Sequence, residues 1–269
     1  MADVSKAVLI TGCSTGIGRA TAERLAGKGH TVYATARRLE SIADLEKKGC
    51  RLLALDVTQE DSMRAAVARV EEDEGAVGAL VNNAGYSQSG AIEDVPMEQV
   101  RRQFETNVFG VLRTVYATLE DVKRARGRLV LLGSVSGHLA LPGASAYAMS
   151  KFAVRGLAEA LAHELAPRGV AVTLVSPGLV ESEMRQVDNR GRWHAEAARG
   201  WPKALVMPVA TAARHIVRAV ARRRREAVIT RHGKLAVFLQ RHAPWLVRKV
   251  VGRLGVRSRS QPGRAAAPE

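Results

Sequence analysis

Near its N-terminus the chain reads Lys6-Ala7-Val8-Leu9-Ile10-Thr11-Gly12-Cys13-Ser14-Thr15-Gly16-Ile17-Gly18-Arg19-Ala20. An apolar run is followed by glycines and then by a helix-periodic pattern, which predicts a strand, a tight turn and a helix. Glycines at 12, 16 and 18 allow the turn and let a pyrophosphate approach the backbone, while the start of the helix offers free N–H groups. The spacing differs from G-x-G-x-x-G, and a purely structural turn is the alternative. The strand before the turn and the helix after it favour a dinucleotide site.

Apolar, β-rich runs alternate with helical patterns about every 20 to 30 residues along the chain. Such alternation is typical of repeated βαβ units and predicts a parallel sheet. We expect seven strands, at Ala7–Ile10, Thr31–Thr35, Arg51–Leu55, Ala79–Asn82, Leu129–Leu132, Ala171–Val175 and Ala227–Thr230. The long helices are expected at Ile17–Lys28, Glu60–Glu74, Met97–Lys123, Ala146–Ala166 and Val209–Arg223. C-terminal helix caps are expected at Gly29, Gly75, Gly127 and Gly169.

Later in the chain, Tyr147 and Lys151 form a candidate acid/base pair in the run Tyr147-Ala148-Met149-Ser150-Lys151. Residues four apart on a helix share one face. A phenol has an unperturbed pKa of roughly 10, and because a nearby ammonium stabilises the phenolate, the pKa of Tyr147 is expected to fall. Such a tyrosine can exchange a proton with an alcohol or carbonyl oxygen. The alternative is a half-buried Tyr beside a solvated Lys.

Length and composition indicate one large α/β domain, since 269 residues with 46% hydrophobic content can bury a substantial core. The first residues lack the pattern of a signal peptide, and no run approaches the roughly 20 apolar residues that span a bilayer. The two cysteines, Cys13 and Cys50, support neither a disulfide framework nor a zinc site, so no metal is expected. We therefore expect a cytoplasmic protein.

Basic charge is concentrated at the C-terminal end. The net charge is +15, and residues 213–269 hold 15 Lys or Arg against Glu226 and Glu269. Part of this run has a structural explanation, because arginines that close a helix, such as Arg222 to Arg225, complement the helix dipole. We expect a main domain at residues 1–232, a basic amphipathic extension at residues 233–257 and a disordered tail at residues 258–269.

The extension is predicted to form two short helical pieces broken at Pro244, in which apolar and basic residues alternate. Two interpretations are about equally favoured. One is an interfacial segment on an anionic membrane, which would make the protein peripheral to it. The other is a helix packed on the protein's own core or at a subunit interface. Nucleic acid ranks last as a partner, because the aromatic content is 4% and no known binding motif occurs.

The ordered set of motifs resembles the short-chain dehydrogenase/reductase family over roughly residues 5 to 230. The resemblance rests on Thr11 to Gly18, Asp56-Val57, Asn82-Asn83-Ala84-Gly85, Asn107, Ser134, Tyr147 with Lys151, and Pro177-Gly178. It implies a Rossmann-type, doubly wound, seven-stranded and mostly parallel sheet with helices on both faces. The glycine turn and the stretch from Gly133 to Gly143 most resemble hydroxysteroid and retinol dehydrogenases.

The resemblance implies four catalytic residues. Tyr147 would be the general acid/base, and Lys151 would bind the nicotinamide ribose and lower the pKa of Tyr147. Ser134 would donate a hydrogen bond to the substrate oxygen, although a Ser that ends a strand is a turn former in most proteins. Asn107 would hold a water that links Lys151 to solvent. An Asn inside a helix competes with backbone hydrogen bonds, and a helix kink around bound water would explain it.

The family likeness also implies a set of cofactor contacts. They are expected from Gly12, Ser14, Thr15, Gly16, Ile17, Gly18, Asp56, Val57, Asn83, Ala84, Gly85, Tyr147, Lys151, Pro177, Gly178, Val180 and Ser182. Asp56 would bond the adenine amino group, but it could equally cap the following helix. The segment from Asn82 to Gly85 is expected both to stabilise the sheet and to contact the cofactor. Ser182 replaces the Thr usual in the family and keeps the hydroxyl.

Cofactor choice depends on the end of the second predicted strand. An NAD-preferring enzyme places a carboxylate there to bind the ribose 2′-hydroxyl, and this chain has Ala36. Arg37 and Arg38 follow, and a guanidinium suits a 2′-phosphate. The sequence therefore predicts NADP(H), with two merely solvated arginines as the alternative.

The substrate is expected to contact Ser134, Tyr147, His138, Met184 and Trp193. The segment from about Glu183 to Met207 carries large apolar residues among basic ones, which is typical of a mobile amphipathic lid. We expect a lipophilic alcohol or carbonyl compound of the steroid, retinoid or fatty type.

A second class of function stays open: a catalytically silent NADP(H)-binding regulatory or scaffold protein. The complete set of Asn107, Ser134, Tyr147 and Lys151 favours an enzyme. Family members usually pair through the two long helices that hold Asn107 and Tyr147, so a homodimer or homotetramer is expected by analogy.

Overall fold

A computed structural model describes residues 6–181 and 203–253, and its centre is a seven-stranded sheet. The strands are β1 Val8–Ile10, β2 Val32–Ala36, β3 Cys50–Ala54, β4 Ala79–Asn82, β5 Arg128–Leu132, β6 Ala171–Ser176 and β7 Glu226–Val228. Their order is β3-β2-β1-β4-β5-β6-β7, and all six pairings are parallel. The predicted fold class and the seven strands are confirmed.

Helices cover both faces of this sheet. They are α1 Gly16–Ala26, α2 Glu60–Glu74, α3 Met97–Phe104, α4 Gly110–Arg124, α5 Ser145–Glu164, α6 Val209–Ala221, α7 Arg231–His242 and α8 Pro244–Gly252. The helix expected at Met97–Lys123 is interrupted by a π-helical segment, Glu105–Phe109. The sequence reading missed the 3₁₀ segment Leu39–Lys48, which connects β2 to β3.

Side chains on each strand alternate between two cores, because successive residues of a strand point to opposite faces. Leu9 of β1 joins the core beneath α2, α4 and α5, whereas Val8 and Ile10 join the core beneath α1 and α6. Strands buried on both faces explain why the sequence shows continuous apolar runs rather than alternation.

Glycines act at the helix ends in two different ways. Gly75 and Gly169 end helical segments in the left-handed region, with φ of 76° and 75°, as expected. At the end of α4 the left-handed residue is Arg126, with φ of 46°, and the Gly127 amide that follows donates a 2.8 Å hydrogen bond to the Val122 carbonyl, so Gly127 closes the helix without being its left-handed residue. Gly127 is required for space, because a Cβ there would lie 2.0 Å from the carbonyl oxygen of Gly78.

The C-terminal extension begins as part of the main body. Helix α7 starts at Arg231, and Gly233 in its first turn is buried. The predicted break is confirmed, since α7 ends at His242 and α8 begins at Pro244. Residues 258–269 lie outside the described part of the chain. Within the described ranges, no helix combines the length and apolar character needed to cross a bilayer.

Two glycine substitutions should have opposite effects on stability. Gly127→Ala should lower the free energy of unfolding by roughly 3 kcal/mol, because the new methyl group overlaps the Gly78 carbonyl. Gly156→Ala should raise it by roughly 0.5–1 kcal/mol, because Gly156 lies within α5 with open space around its Cα. Urea denaturation measures both, and equal stability of the two variants would contradict this account.

Candidate active site

The predicted site residues meet at one edge of the sheet. The glycine turn follows β1, the segment from Asn82 to Gly85 ends β4, Ser134 follows β5 and Pro177 follows β6. Because the strands are parallel, their carboxyl ends lie on the same side. The strand order reverses between β1 and β4, which is where doubly wound sheets bind ligands.

The glycine turn rests directly on the loop after β4. The Asn83 side chain donates hydrogen bonds to the carbonyl oxygens of Thr11 (2.9 Å) and Gly12 (2.8 Å). The backbone amides of Asn83 and Ala84 donate to Thr11 Oγ1 at 3.0 and 2.9 Å. A Cβ on Gly12 would lie 2.8 Å from Ala84 Cα. The role expected for this segment in stabilising the sheet is confirmed, and its contact with a cofactor stays a prediction.

The start of α1 is open to an anion. Thr15 stands at its N-cap without a side-chain capping bond, and the first turn holds no acidic residue. Gly16 has φ of +62°, and a Cβ on Gly18 would lie 2.3 Å from Asn83 Nδ2. Ser14 and Thr15 are exposed beside the backbone N–H groups of the first turn of α1. This cradle fits the pyrophosphate of a dinucleotide.

Tyr147, Lys151 and Ser134 come together, as predicted. The Lys151 Nζ atom lies 5.8 Å from the centre of the Tyr147 ring and donates a 2.7 Å hydrogen bond to the Leu132 carbonyl at the end of β5. The Ser134 hydroxyl is close enough to Tyr147 to lower the pKa of its phenol, and it accepts a hydrogen bond from the amide of Ser136 at 3.1 Å. Lys151 is only 7% exposed, so the interpretation of a solvated lysine is wrong.

The electrostatics of the pair differ from the expectation. Desolvation raises the pKa of Tyr147, and the nearby Ser134 hydroxyl only partly offsets this effect. The predicted lowering of the Tyr147 pKa by Lys151 is therefore wrong for this arrangement. Burial also lowers the pKa of Lys151 to about 8, because the charged ammonium has lost water. Burial thus shifts the titration of both groups toward the form that carries less charge, although at pH 7 the Lys151 amine is still mostly protonated.

Asn107 lies in the π-helical segment, fully buried. Its side chain bonds the amide and carbonyl of Tyr86 at 3.1 and 2.9 Å, and donates to Ser150 Oγ at 3.1 Å. Ser150 in turn donates to the backbone carbonyl of Tyr147 at 2.7 Å. The expected helix irregularity is confirmed, and π segments are frequent at functional sites. Since the side chain is engaged with protein groups, the predicted water contact would have to use another atom of this turn.

Gln103 is a supporting residue that the sequence reading missed. It lies one helical turn before Asn107 and is fully buried. Its side chain accepts a hydrogen bond from the amide of Gln88 (2.8 Å) and donates one to the carbonyl of Tyr86 (2.7 Å). Together Gln103 and Asn107 hold the loop after Gly85 in place. The available signal was two amide side chains four residues apart, which share a helix face.

The remaining predicted cofactor residues are placed as follows. Asp56 Oδ1 accepts hydrogen bonds from the amide and hydroxyl of Thr58 at 2.9 and 2.8 Å, so it closes a turn and does not cap α2, whose N-cap is Gln59. Buried Val57 faces Gly110 of α4. Arg37 and Arg38 are exposed just after β2, and their side chains form no ion pair with the described residues.

The segment after β6 is held by the start of α7. His232 accepts a hydrogen bond from the Leu179 amide at 3.0 Å, and a Cβ on Gly178 would lie 2.3 Å from Thr230 Oγ1. Val180 forms an isolated bridge with Met207. Ser182, Met184 and Trp193 were also predicted to form the site, and they lie outside the described residues.

His138 is placed differently from a substrate contact. It is 4% exposed, and its Nε2 lies 2.9 Å from Ser176 Oγ and 3.4 Å from Glu226 Oε1. Burial lowers its pKa despite the nearby carboxylate. The ring therefore packs between β6 and β7, and these contacts give no support to a role in binding substrate.

Comparison with known proteins agrees with this geometry. The sequence model of the short chain dehydrogenase family matches residues 6–193. The chain belongs to this family. A structure of a short-chain dehydrogenase from Streptomyces avermitilis, 29% identical, superposes with a TM-score of 0.78 and covers 94% of this chain and 98% of that one. A Burkholderia cenocepacia short chain dehydrogenase, solved in complex with NADP, shares the fold with a TM-score of 0.80 at 23% identity, covering 91% and 96%.

Alignments with relatives of the family cover about two thirds of this chain. A 3-ketodihydrosphingosine reductase from Bacteroides thetaiotaomicron is 40% identical over 64% of this chain and 62% of its own length. Human 11-beta-hydroxysteroid dehydrogenase type 2 is 36% identical over 70% and 48%. The 3-oxoacyl-[acyl-carrier-protein] reductase MabA of Mycobacterium tuberculosis is 35% identical over 70% and 74%. The match thus spans less than two thirds of the first and second of these relatives.

Replacing Gln103 should loosen the loop after β4. Gln103→Leu leaves the Gln88 amide and the Tyr86 carbonyl with one hydrogen bond fewer, and should lower the free energy of unfolding by roughly 2–4 kcal/mol. Gln99→Leu, one turn earlier on the same helix, is the matched control, because the Gln99 side-chain oxygen has no partner and its loss should change stability by under about 1 kcal/mol. Equal losses in the two variants would contradict the role assigned to Gln103.

Removing the buried ammonium should stabilise the free protein. A lysine pKa lowered from 10.5 to about 8 reduces the stability of the wild type at pH 7 by roughly 3 kcal/mol. The variant avoids this cost but loses the hydrogen bond to Leu132, which stabilises the wild type by about 1 kcal/mol. Lys151→Met should therefore raise the free energy of unfolding at pH 7 by about 2 kcal/mol.

The pH dependence has a definite sign. Between pH 8 and 10.5 the unfolded wild type binds more protons than the folded one, so wild-type stability rises with pH and the advantage of Lys151→Met shrinks. Denaturation at pH 7 and pH 9.5 measures the difference. The exposed Lys28→Met serves as a control and should show no such trend. A variant that is less stable than wild type at pH 7 would refute this interpretation.

Proposed function

We propose that this protein is an NADP(H)-dependent oxidoreductase that interconverts an alcohol with its ketone or aldehyde. The observation that carries the proposal is the convergence of Ser134, Tyr147 and Lys151 at the carboxyl edge of the sheet. The glycine cradle at the start of α1 opens on the same edge. A protein that only binds the cofactor has no need for a buried lysine beside this half-buried tyrosine.

Each residue has a chemical task. The nicotinamide would supply a hydride to the carbonyl carbon or accept one from the alcohol carbon. Tyr147 gives the carbonyl oxygen its proton as that oxygen gains charge, or removes the alcohol proton in the reverse direction. A raised pKa keeps the phenol protonated at neutral pH, which suits reduction. Ser134 donates a hydrogen bond to the same oxygen. Lys151, whose ammonium lies 5.8 Å from the centre of the Tyr147 ring, would bind the ribose hydroxyls.

The residues at the end of β2 favour NADP(H). Ala36 closes that strand where a carboxylate would select the bare ribose. Arg37 and Arg38 are exposed there, and no acidic partner among the described residues occupies their guanidinium groups. The Burkholderia structure that holds NADP is only 23% identical, so it supports the fold alone. The proposed preference for NADP(H) over NAD(H) therefore rests on Ala36, Arg37 and Arg38.

A lipophilic substrate is proposed from the names of the relatives. They refer to a ketosphingoid base, a hydroxysteroid and a 3-oxoacyl chain, which share an oxygen function on a largely hydrocarbon skeleton. The segment expected to cover the substrate carries Met184 and Trp193, which suit such a skeleton. Steroid, retinoid and fatty compounds are therefore the first carbonyls to screen.

Pairing of chains is proposed at the two long helices. Phe109, just before α4, is 49% exposed, and Tyr116 within α4 is 72% exposed. On α5, Met149 and Phe152 are 51% and 42% exposed. Apolar side chains of this size in water favour burial by a second copy. A molar mass of two or four chains in light scattering would agree, and a single-chain mass would contradict it.

Arg37 and Arg38 should set the cofactor preference. Replacing both with Ala should weaken NADPH binding by 30-fold or more, since each charge-assisted bond to a phosphate contributes roughly 1.5–3 kcal/mol. NADH binding should change less than about threefold. Fluorescence titration with both cofactors measures this, with the surface variant Arg64→Ala as control. Equal loss of NADPH and NADH binding would show that the arginines do not contact a 2′-phosphate.

The reaction class is tested by a carbonyl screen with wild type and Tyr147→Phe. Wild type should oxidise NADPH in the presence of a lipophilic ketone or aldehyde, and Tyr147→Phe should bind NADPH normally but lose at least 100-fold in kcat. Tight NADPH binding without Tyr147-dependent turnover of any carbonyl would favour the regulatory function instead.

A further inference from the structure

Helix α7 has two unlike faces. Its inner face packs on the main body through buried Val237 and through Gly233, where a Cβ would lie 2.8 Å from Val135 Cγ2. This contact confirms that the extension packs on its own protein along one side. Its outer face is an exposed stripe at helical spacing, formed by Arg231, Lys234, Leu235, Phe238, Arg241 and His242.

Helix α8 continues the pattern after the break at Pro244. Trp245, Arg248 and Lys249 are exposed at positions one helical turn apart, and Trp245 is 64% exposed. Leu235 and Phe238 on α7 are 59% and 58% exposed. Large apolar side chains thus stand in water on both helices, next to cationic ones. We call the exposed residues of α7 and α8 the outer surface of the extension.

The charge of this surface is one-sided. Residues 231–253 contain six Lys or Arg and no Asp or Glu. Arg241 pairs with Glu226 of β7 at 2.6 Å, whereas Arg231, Lys234, Arg248, Lys249 and Arg253 form no ion pair with any described residue. Elsewhere exposed bases often pair with nearby carboxylates, as Lys48 does with Glu23. The excess positive charge on the outer surface is therefore not neutralised by carboxylates of the described residues.

We propose that the outer surface of the extension docks on an anionic phospholipid membrane. A lipid interface accommodates both components at once, because apolar side chains enter the acyl boundary while Lys and Arg contact the headgroup phosphates. A tryptophan at the start of α8 suits the headgroup level. Nucleic acid would satisfy the charges but would leave Leu235 and Val250 in water, and a second copy of this chain would bring like charges together.

The interaction is tested by co-sedimentation of the full chain with vesicles. The chain should bind vesicles of phosphatidylcholine containing phosphatidylserine at least tenfold more tightly than vesicles of phosphatidylcholine alone, and added salt should weaken binding. Phe238→Ser with Trp245→Ser, and separately Arg248→Glu with Lys249→Glu, should each reduce binding at least tenfold. NADPH binding should be unchanged in both variants, which shows that they fold.

A matched control separates docking from general attraction. Lys28→Glu with Lys47→Glu makes the same change of charge at exposed positions next to β2 and β3, at the opposite edge of the sheet. This variant should bind vesicles within about twofold of wild type. The proposal is overturned by a wild type that does not bind, by equal losses in both charge variants, or by binding that Phe238→Ser with Trp245→Ser leaves intact. It is also overturned if these variants change the molar mass or the binding of DNA and not the binding of lipid.

Discussion

The site depends on the close contact between the glycine turn after β1 and the loop after β4. Gly12 and Gly18 leave no room for a Cβ, and the Asn83 amide links the turn to the loop through two backbone carbonyls. This contact fixes the backbone amides at the start of α1 relative to the ends of β4 and β5. Since Lys151 is anchored to the last residue of β5, the proposed cofactor cradle and the Tyr147–Lys151 pair are held by the same strands.

A second set of hydrogen bonds joins these strands to α5, the helix that holds Tyr147 and Lys151. Asn107 and Gln103 hold the loop after Gly85, and Asn107 reaches the Tyr147 carbonyl through Ser150. The π-helical segment, at the junction of α3 and α4, lets the Asn107 side chain reach both Tyr86 and Ser150. The fold also tolerates an unfavourable group, because the buried ammonium of Lys151 reduces stability. A destabilising buried charge of this kind is expected at a position where the residue serves function more than stability.

The sequence supported the fold well because its signals were local and repeated. Apolar runs recurred along the chain with helical patterns between them, and a strand buried on both faces has a recognisable composition. The four-residue spacing of Tyr147 and Lys151 and the order of the motifs were enough to bring the site together. The structural role of Asn83 was predictable from its position directly after a buried strand, where turn residues are common.

Other features depended on three-dimensional surroundings that no motif encodes. The pKa of Tyr147 follows from how much water its phenol loses, which spacing cannot reveal. Gly127 is required by the carbonyl of Gly78, a residue distant in sequence, and not by its own backbone angles. Gln103 acts through backbone groups of a loop, so its partners have no sequence signature. His138 lay in a promising stretch, but the sheet placed its ring against Ser176.

The most direct test follows a labelled hydrogen atom. NADPH carrying deuterium at both C4 positions of the nicotinamide is incubated with wild type or Tyr147→Phe and a lipophilic ketone that wild type accepts, and the product is examined by mass spectrometry and NMR. The account predicts deuterium on the new carbinol carbon with wild type and almost none with Tyr147→Phe. Equal transfer by both proteins, or an alcohol product without deuterium, would contradict it.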